Sequence, residues 1–168
     1  MKVNARIVFA DFRKVQGWRW WVTRLLTLSN HTHAHIEFLY EQPTAFIVVD
    51  FTNIKAMRTS RLEKMGVTTY FYYPLGEIDI SEKDVLYALT YPKANSLRMV
   101  LYQAVGRFFG MKQPVSCITF ICDFLRTKGY NTPQLFTPRQ LMEDLTSDDH
   151  YVRWSSPSGQ DNASQMAK

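Results

Sequence analysis

The stretch that most constrains this chain covers residues 114–129 and has the marks of one buried helix. Ser116 is a preferred N-cap residue, and Gly129 is a preferred residue just beyond a helix C-terminus. Between them, apolar side chains recur at helical spacing, at Ile118, Phe120, Ile121, Phe124 and Leu125. A stripe of this width predicts a helix that packs against a sheet.

Cys117 follows the predicted cap and would occupy the first helical position. Unpaired backbone N–H groups and the positive end of the helix dipole meet there, and both stabilise a thiolate. The position therefore suits a nucleophile. The competing interpretation is that Cys117 is an ordinary small core residue, since free cysteine is often buried.

A second informative stretch, residues 31–40, reads as a strand rich in histidine. Alternate residues of a strand share a face, so His33, His35 and Glu37 are predicted to point the same way. An imidazole near a helix-start thiol supplies two elements of a Cys–His hydrolase. The third element is a polar group that orients the imidazole.

The competing chemistry for the same stretch is a metal site, because His-x-His-x-His places three imidazoles on one face. No Cys-x-x-Cys or His-Glu-x-x-His motif accompanies it. We therefore expect no metal and no cofactor. His31 fits best as a surface histidine beside a turn.

Composition narrows the class of protein. The 168 residues are 46% hydrophobic and 14% aromatic, which indicates one folded globular domain. No apolar run is long enough to predict a membrane span. Arg6 and Asp11 interrupt the first apolar run, which does not resemble a signal peptide, so a cytoplasmic location at synthesis is expected. The net charge of +5 is scattered, which indicates a solvated basic surface and no specific nucleic-acid partner.

The remaining segments predict an α+β fold in which a small antiparallel sheet is packed by helices. Strands are predicted at residues 3–12, 31–40, 45–51 and 67–73, the last ended by Pro74 and Gly76. Helices are predicted at residues 18–28, 81–91, 95–109, 117–128 and 137–145, with a loop or short helix at 53–64. We expect one domain over residues 1–146.

The polar tail, residues 147–168, is expected to be disordered or held by a partner through Tyr151, Val152 and Trp154.

Residues 18–28 have two interpretations. Apolar side chains recur there at helical spacing, at Trp18, Trp21, Val22, Leu25 and Leu28. With arginines nearby, the pattern allows an interfacial helix that contacts a membrane through Trp18 and Trp21. The segment is shorter than most such anchors, so a helix that caps the core near a binding groove is the prediction.

The ordered set of segments resembles the circularly permuted branch of the papain-like thiol hydrolases. This is the NlpC-type cell-wall endopeptidase superfamily with its lecithin:retinol acyltransferase-like relatives, in which the histidine strand precedes the cysteine helix. The matching segments are residues 5–9, 18–28, 34–36 (Ala-His-Ile), 48–50 (Val-Val-Asp), 70–74, 116–125 and 135–141. Together they span nearly everything before the tail.

The resemblance implies roles for particular residues. Cys117 matches the nucleophile and His35 the general base, with His33 as the alternative if the register is shifted by two. The third polar group usually comes from the following strand, where Asp50 fits best and Glu37 or Asn53 are the alternatives. The backbone N–H of Cys117 would form half of an oxyanion hole.

Two departures from the family pattern bear on the substrate. Ile36 stands where the family has a small residue after the histidine, and Glu37 adds charge near the site. Cys122 matches no family position and is interpreted as a core residue.

The sequence thus predicts a cysteine hydrolase that cleaves an amide or ester through a thioester, first of all a peptidase or amidase acting on peptidoglycan-like peptides. A lipid acyl hydrolase or transferase is an alternative. A third is a non-catalytic phage or bacterial structural or accessory protein that uses the fold as a binding module. In that case a virion assembly is the partner expected to hold the tail.

Overall fold

The computed structural model describes residues 1–27, 33–49, 53–92, 98, 101–106, 108–135 and 137–147. Over these residues the chain forms an α+β fold with a curled antiparallel half-barrel sheet, as the sequence predicted at that level. The strands are β1 (Lys2–Asp11), β2 (His33–Phe38), β3 (Thr44–Val49), β4 (Asn53–Arg58) and β5 (Thr68–Asp79). The helices are α1 (Arg13–Gln16), α2 (Trp18–Thr27), α3 (Thr59–Lys64), α4 (Glu82–Thr90), a π-helix π1 (Tyr102–Gly106), α5 (Cys117–Thr127) and α6 (Pro138–Thr146).

The sheet has the strand order β4-β3-β2-β1-β5, and its neighbouring strands are antiparallel. Directly opposed residues share a face, so the register divides the three inner strands into two sets. The helix face carries Ile7, Phe9, Ala34, Ile36, Phe38 and Phe46. The histidine face carries Arg6, Val8, Ala10, His33, His35, Glu37 and Ala45.

Helix α5 packs on the helix face and forms the main core with it. The Phe124 ring lies 6.1 Å from the Phe38 ring and 6.0 Å from the Phe46 ring, measured between centroids. The helix begins at Cys117 behind the Ser116 cap, whose hydroxyl accepts a hydrogen bond from the Thr119 amide. The predicted cap and apolar stripe of this helix are therefore confirmed.

A smaller cluster of Ala10, Phe12, Ala45 and Leu62 covers part of the histidine face. Trp20 of α2 is also buried, with 1% of its surface exposed. The predicted core stripe of α2 points elsewhere, because Trp18, Trp21 and Leu25 are exposed. The prediction that this stripe caps the core was wrong: one tryptophan outside the stripe supplies the buried contact.

Two strand predictions were incomplete. Residues 53–58 form the edge strand β4, which pairs with β3 from Val49 opposite Asn53 to Thr44 opposite Arg58. Strand β5 continues past Pro74 to Asp79, since the β1–β5 register shifts between Ala5 and Arg6. That irregularity, on a strand at the edge of the sheet, accommodates a proline that has no N–H to donate.

Replacing Phe124 with alanine is expected to lower the free energy of unfolding by about 3–5 kcal/mol, because a large cavity would open between α5 and the sheet. Urea unfolding followed by circular dichroism measures the change. The matched control is Phe109→Ala, whose ring is 79% exposed and whose loss is expected to change stability by less than about 0.5 kcal/mol. Equal losses for the two variants would contradict the assigned packing.

Candidate functional site

Cys117 is the first residue of α5, as the sequence predicted. Its side chain is buried, with 6% of the residue exposed, and belongs to the main core cluster. Cys117 lies within a capping box that closes this turn. The Ser116 amide donates to the Thr119 hydroxyl at 2.7 Å, and the Thr119 amide donates to the Ser116 hydroxyl. The thiol is therefore held at a rigid helix start that is shielded from solvent.

Two opposing effects act on the Cys117 thiol. Burial raises its pKa, because a thiolate is poorly solvated in the core. The backbone N–H groups of Ala34, Ile118 and Cys117 itself lower the pKa, and burial is the larger effect. The thiol is thus protonated at neutral pH. The contribution of Ala34 also places the sulfur beside the backbone of β2.

His33 and His35 form a buried imidazole row on the histidine face. Their ring centroids are 5.9 Å apart, and the Phe12 ring lies 4.1 Å from the His33 ring. Both residues are at most 3% exposed. The Nε2 atom of His33 and the Nδ1 atom of His35 have no hydrogen-bond partner.

Burial also sets the charge of this row. Desolvation lowers the pKa of His33 well below its usual value, and the neighbouring His35 lowers it further. Desolvation, followed by repulsion from Arg6, lowers the pKa of His35 to about 3. Both imidazoles are therefore neutral at physiological pH.

Glu37 continues the same row but is fully engaged. The Arg6 Nε atom donates to one carboxylate oxygen at 2.5 Å, and the Thr59 hydroxyl donates to the other. The carboxylate is 2% exposed, and Arg6 is 30% exposed. Glu37 thus serves the ion pair with Arg6 and does not orient either imidazole.

Cys117 and the two histidines belong to different surroundings of β2. Cys117 packs on the helix face of β2, whereas His33 and His35 project from the histidine face. Among the described residues no hydrogen bond joins the Cys117 sulfur to either imidazole. His33, the alternative base, lies on the same face as His35, because residues two apart in a strand share a face.

Several other predicted positions lie outside the described residues. Asp50, the proposed orienting residue, is among them, as are the proposed tail anchors Tyr151, Val152 and Trp154. Asn53 is the first residue of β4 and pairs with Val49. Within the described part of the chain, no group of three His, Cys, Asp or Glu side chains is placed to hold a metal ion.

A cleft of about 900 Å³ lies on the other side of α5, where sequence reasoning placed nothing. Its walls include Tyr87, Tyr91, Thr119, Cys122, Asp123 and Arg126. The Tyr91 hydroxyl donates to the Asp123 carboxylate, and the Arg126 guanidinium donates to the same carboxylate at 2.6 Å. The carboxylate raises the pKa of Tyr91 in addition to the effect of burial, which keeps the phenol protonated.

One sequence signal pointed toward this cleft. Asp123 and Arg126 are three residues apart, on the side of α5 away from its apolar stripe. Tyr91 comes from the end of α4, so only the folded chain could bring the third member to them.

Comparison with known proteins returned no match to a family model, a curated protein or a solved structure. In the described residues, no helix has both the length and the apolar character needed to cross a bilayer.

The imidazole row predicts a particular pH dependence of stability. The unfolded chain binds a proton at each histidine near pH 6.5, whereas folded His35 binds one only near pH 3. Between these values the unfolded state holds more protons, so stability falls as the pH falls. For His35 alone, the loss between pH 7.5 and pH 5 is expected to be about 2 kcal/mol.

Urea unfolding at a series of pH values measures this loss. His35→Leu is expected to reduce the slope over this range, while His150→Gln, which leaves the row intact, is expected to retain it. A stability that does not change between pH 7.5 and pH 5 would contradict the burial of the two rings.

Proposed function

We propose that this chain is a non-catalytic binding protein on a permuted papain-like scaffold, in which Cys117 serves as a core residue. One observation carries the proposal: the Cys117 thiol is a buried member of the main core cluster, whereas the register turns His33 and His35 toward the histidine face. The order of segments, with the histidine strand before the cysteine helix, supports the scaffold.

The state of the Cys117 thiol and of the imidazoles favours a binding role over catalysis by Cys117. A thiol nucleophile needs a base within hydrogen-bond reach, about 2.6–3.2 Å between heavy atoms. Here the thiol has a raised pKa and the imidazoles face Phe12 across the sheet. In the described residues no hydrogen bond joins the thiol to either imidazole.

The cleft beside α5 is the place that best suits a ligand. Its volume of about 900 Å³ is within the range of ligand sites, roughly 300–1,000 Å³. Proline and tyrosine side chains supply apolar walls, from Tyr87, Tyr91, Pro92, Pro114 and Pro133. The Asp123–Arg126 pair supplies both an acceptor and a donor, which a peptide backbone can satisfy. We therefore infer that the ligand is a peptide segment.

A second candidate is the cysteine hydrolase that the motifs predict. It is favoured by the three N–H groups that act on the Cys117 sulfur, one of which belongs to Ala34 of the histidine strand. In that reaction the thiolate would attack an amide or ester carbonyl and form a thioester. The leaving amine or alcohol would take its proton from an imidazole, and water would then release the acid. One imidazole would first have to reach the sulfur side of β2.

Iodoacetamide labelling distinguishes the two functions. If the chain is a binding protein, iodoacetamide should label Cys117 slowly at pH 7.5, because burial keeps the thiol protonated and shielded. Cys122, whose pKa is raised by burial to about 12, is expected to be equally slow. Unfolding in urea should expose both at the rate of a free thiol. Single Cys117→Ser and Cys122→Ser variants identify which sulfur reacts.

Rapid labelling of Cys117 alone in the folded chain would overturn the binding proposal in favour of the hydrolase. Hydrolysis of peptide or lipid ester probes that is lost in Cys117→Ser would have the same meaning.

Peptide binding at the cleft has its own test. We expect peptides and peptidoglycan fragments to shift NMR resonances of Tyr91, Thr119 and Arg126, and Asp123→Asn to weaken the binding. The control Glu143→Gln breaks a comparable ion pair with Arg139 on the exposed face of α6 and is expected to leave binding unchanged. Resonance shifts confined to other surfaces would contradict the assignment of the cleft.

A further inference from the structure

Helix α2 turns its apolar side outward. Trp18, Trp21 and Leu25 are 73%, 60% and 74% exposed, and their spacing places them on one side of the helix. Trp20 holds the helix to the body of the protein with 1% exposure. The indole of Trp20 lies under the Arg13 guanidinium at 4.3 Å. The helix is thus anchored by one tryptophan and presents two others to the surroundings.

A second segment exposes apolar side chains beside α2. Helix π1 lies against α2, and Val105 within it is 44% exposed. The residues that follow are more exposed still, with Phe108 at 82% and Phe109 at 79%. We call Trp18, Trp21, Leu25, Val105, Phe108 and Phe109 the aromatic patch. Each aromatic side chain carries on the order of 150–250 Å² of surface, so the patch is larger than monomeric proteins usually expose.

The two segments that carry the patch are basic in sequence, and the neighbouring Asp11 pairs with Arg13 at 3.7 Å. Residues 13–27 contain four basic and no acidic residues, and residues 98–112 contain three basic and no acidic residues. Arg24 lies over the Trp20 and Trp21 rings, at 5.3 and 5.6 Å from their centroids. The 15 acidic residues of the chain all lie in other segments. The guanidinium groups of Arg13 and Arg24 beside the tryptophans of α2, together with the basic sequence of both segments, complement an anionic lipid surface.

We propose that the aromatic patch docks this protein on the surface of an anionic phospholipid bilayer. Tryptophan rings favour the interfacial region, where the indole is partly in hydrocarbon and its N–H remains hydrated. Helix α2 has ten residues, a length of about 15 Å, which suits a helix lying along the interface. Arg24, which lies over the Trp21 ring, is then close to the phosphate groups. This docking is independent of the cleft beside α5.

Co-sedimentation with lipid vesicles tests the proposal. The full chain is expected to bind vesicles of phosphatidylcholine and phosphatidylglycerol, to bind pure phosphatidylcholine weakly, and to lose affinity as salt is added. The double variant Trp18→Ser/Phe108→Ser is expected to bind anionic vesicles about tenfold more weakly. Quenching of tryptophan fluorescence by brominated lipid is expected to fall in the same variant.

The matched pair of controls is Leu25→Ser in the patch and Leu86→Ser on α4, where the leucine is 62% exposed. Leu25→Ser is expected to weaken vesicle binding and Leu86→Ser to leave it unchanged, with circular dichroism confirming that both variants fold. The proposal is overturned if wild type fails to bind vesicles of either composition, or if the two leucine variants behave alike. It is also overturned if the patch variants instead abolish a dimer seen by sedimentation velocity.

Peptide binding by the double variant separates this proposal from the preceding one. We expect Trp18→Ser/Phe108→Ser to bind peptides at the cleft as wild type does, although it has lost vesicle binding.

Discussion

The packing of α5 against one face of β2 is the contact on which the rest of the structure depends. Phe124 inserts between Phe38 and Phe46, so the even-numbered residues of β2 must face the helix. Because side chains alternate along a strand, the odd-numbered residues are sent to the opposite face. His33, His35 and Glu37 therefore belong to the histidine face, and shifting β2 by one residue would exchange its two sets of side chains.

The buried polar residues of β2, His33, His35 and Glu37, differ in whether they have hydrogen-bond and charge partners. Glu37 has both carboxylate oxygens engaged, by Arg6 and by Thr59, so its negative charge is compensated. His33 and His35 have no comparable partner, and they remain buried by staying neutral. One end of the row is thus an ion pair and the other a pair of uncharged rings packed against Phe12, an arrangement that favours a structural role in the described conformation.

The two surfaces available for binding differ in chemistry. The cleft beside α5 combines aromatic and proline walls with a hydrogen-bonded carboxylate, which favours a polar ligand such as a peptide. In the aromatic patch, large rings are exposed in two segments that contain basic and no acidic residues. Trp20 connects the patch to the body of the protein, because its burial fixes which side of α2 faces outward.

Local rules determined much of the secondary structure from the sequence alone. Ser116, Ser81 and Thr137 each begin a helix as predicted, because capping depends on residues within one turn. The shared face of His33, His35 and Glu37 also follows from strand geometry. Strand β4 was missed, since its pairing with β3 gives the segment a structure that its own composition does not indicate. Pro74 was predicted to end its strand. The register shift between β1 and β5 that accommodates this proline depends on both strands and is not visible in the sequence of either one.

Tertiary structure decided which side of each element meets the core. Periodicity identified an apolar stripe on α2, but the buried contact is made by Trp20, and the stripe itself is exposed. The spacing of Cys117 and the histidines does not say which face of β2 the helix covers, and the packing of α5 selected the face of Ala34, Ile36 and Phe38. A sequence pattern specifies the period of an element, whereas the contact between two elements depends on residues far apart in the chain, and only the folded packing selects among the possible faces.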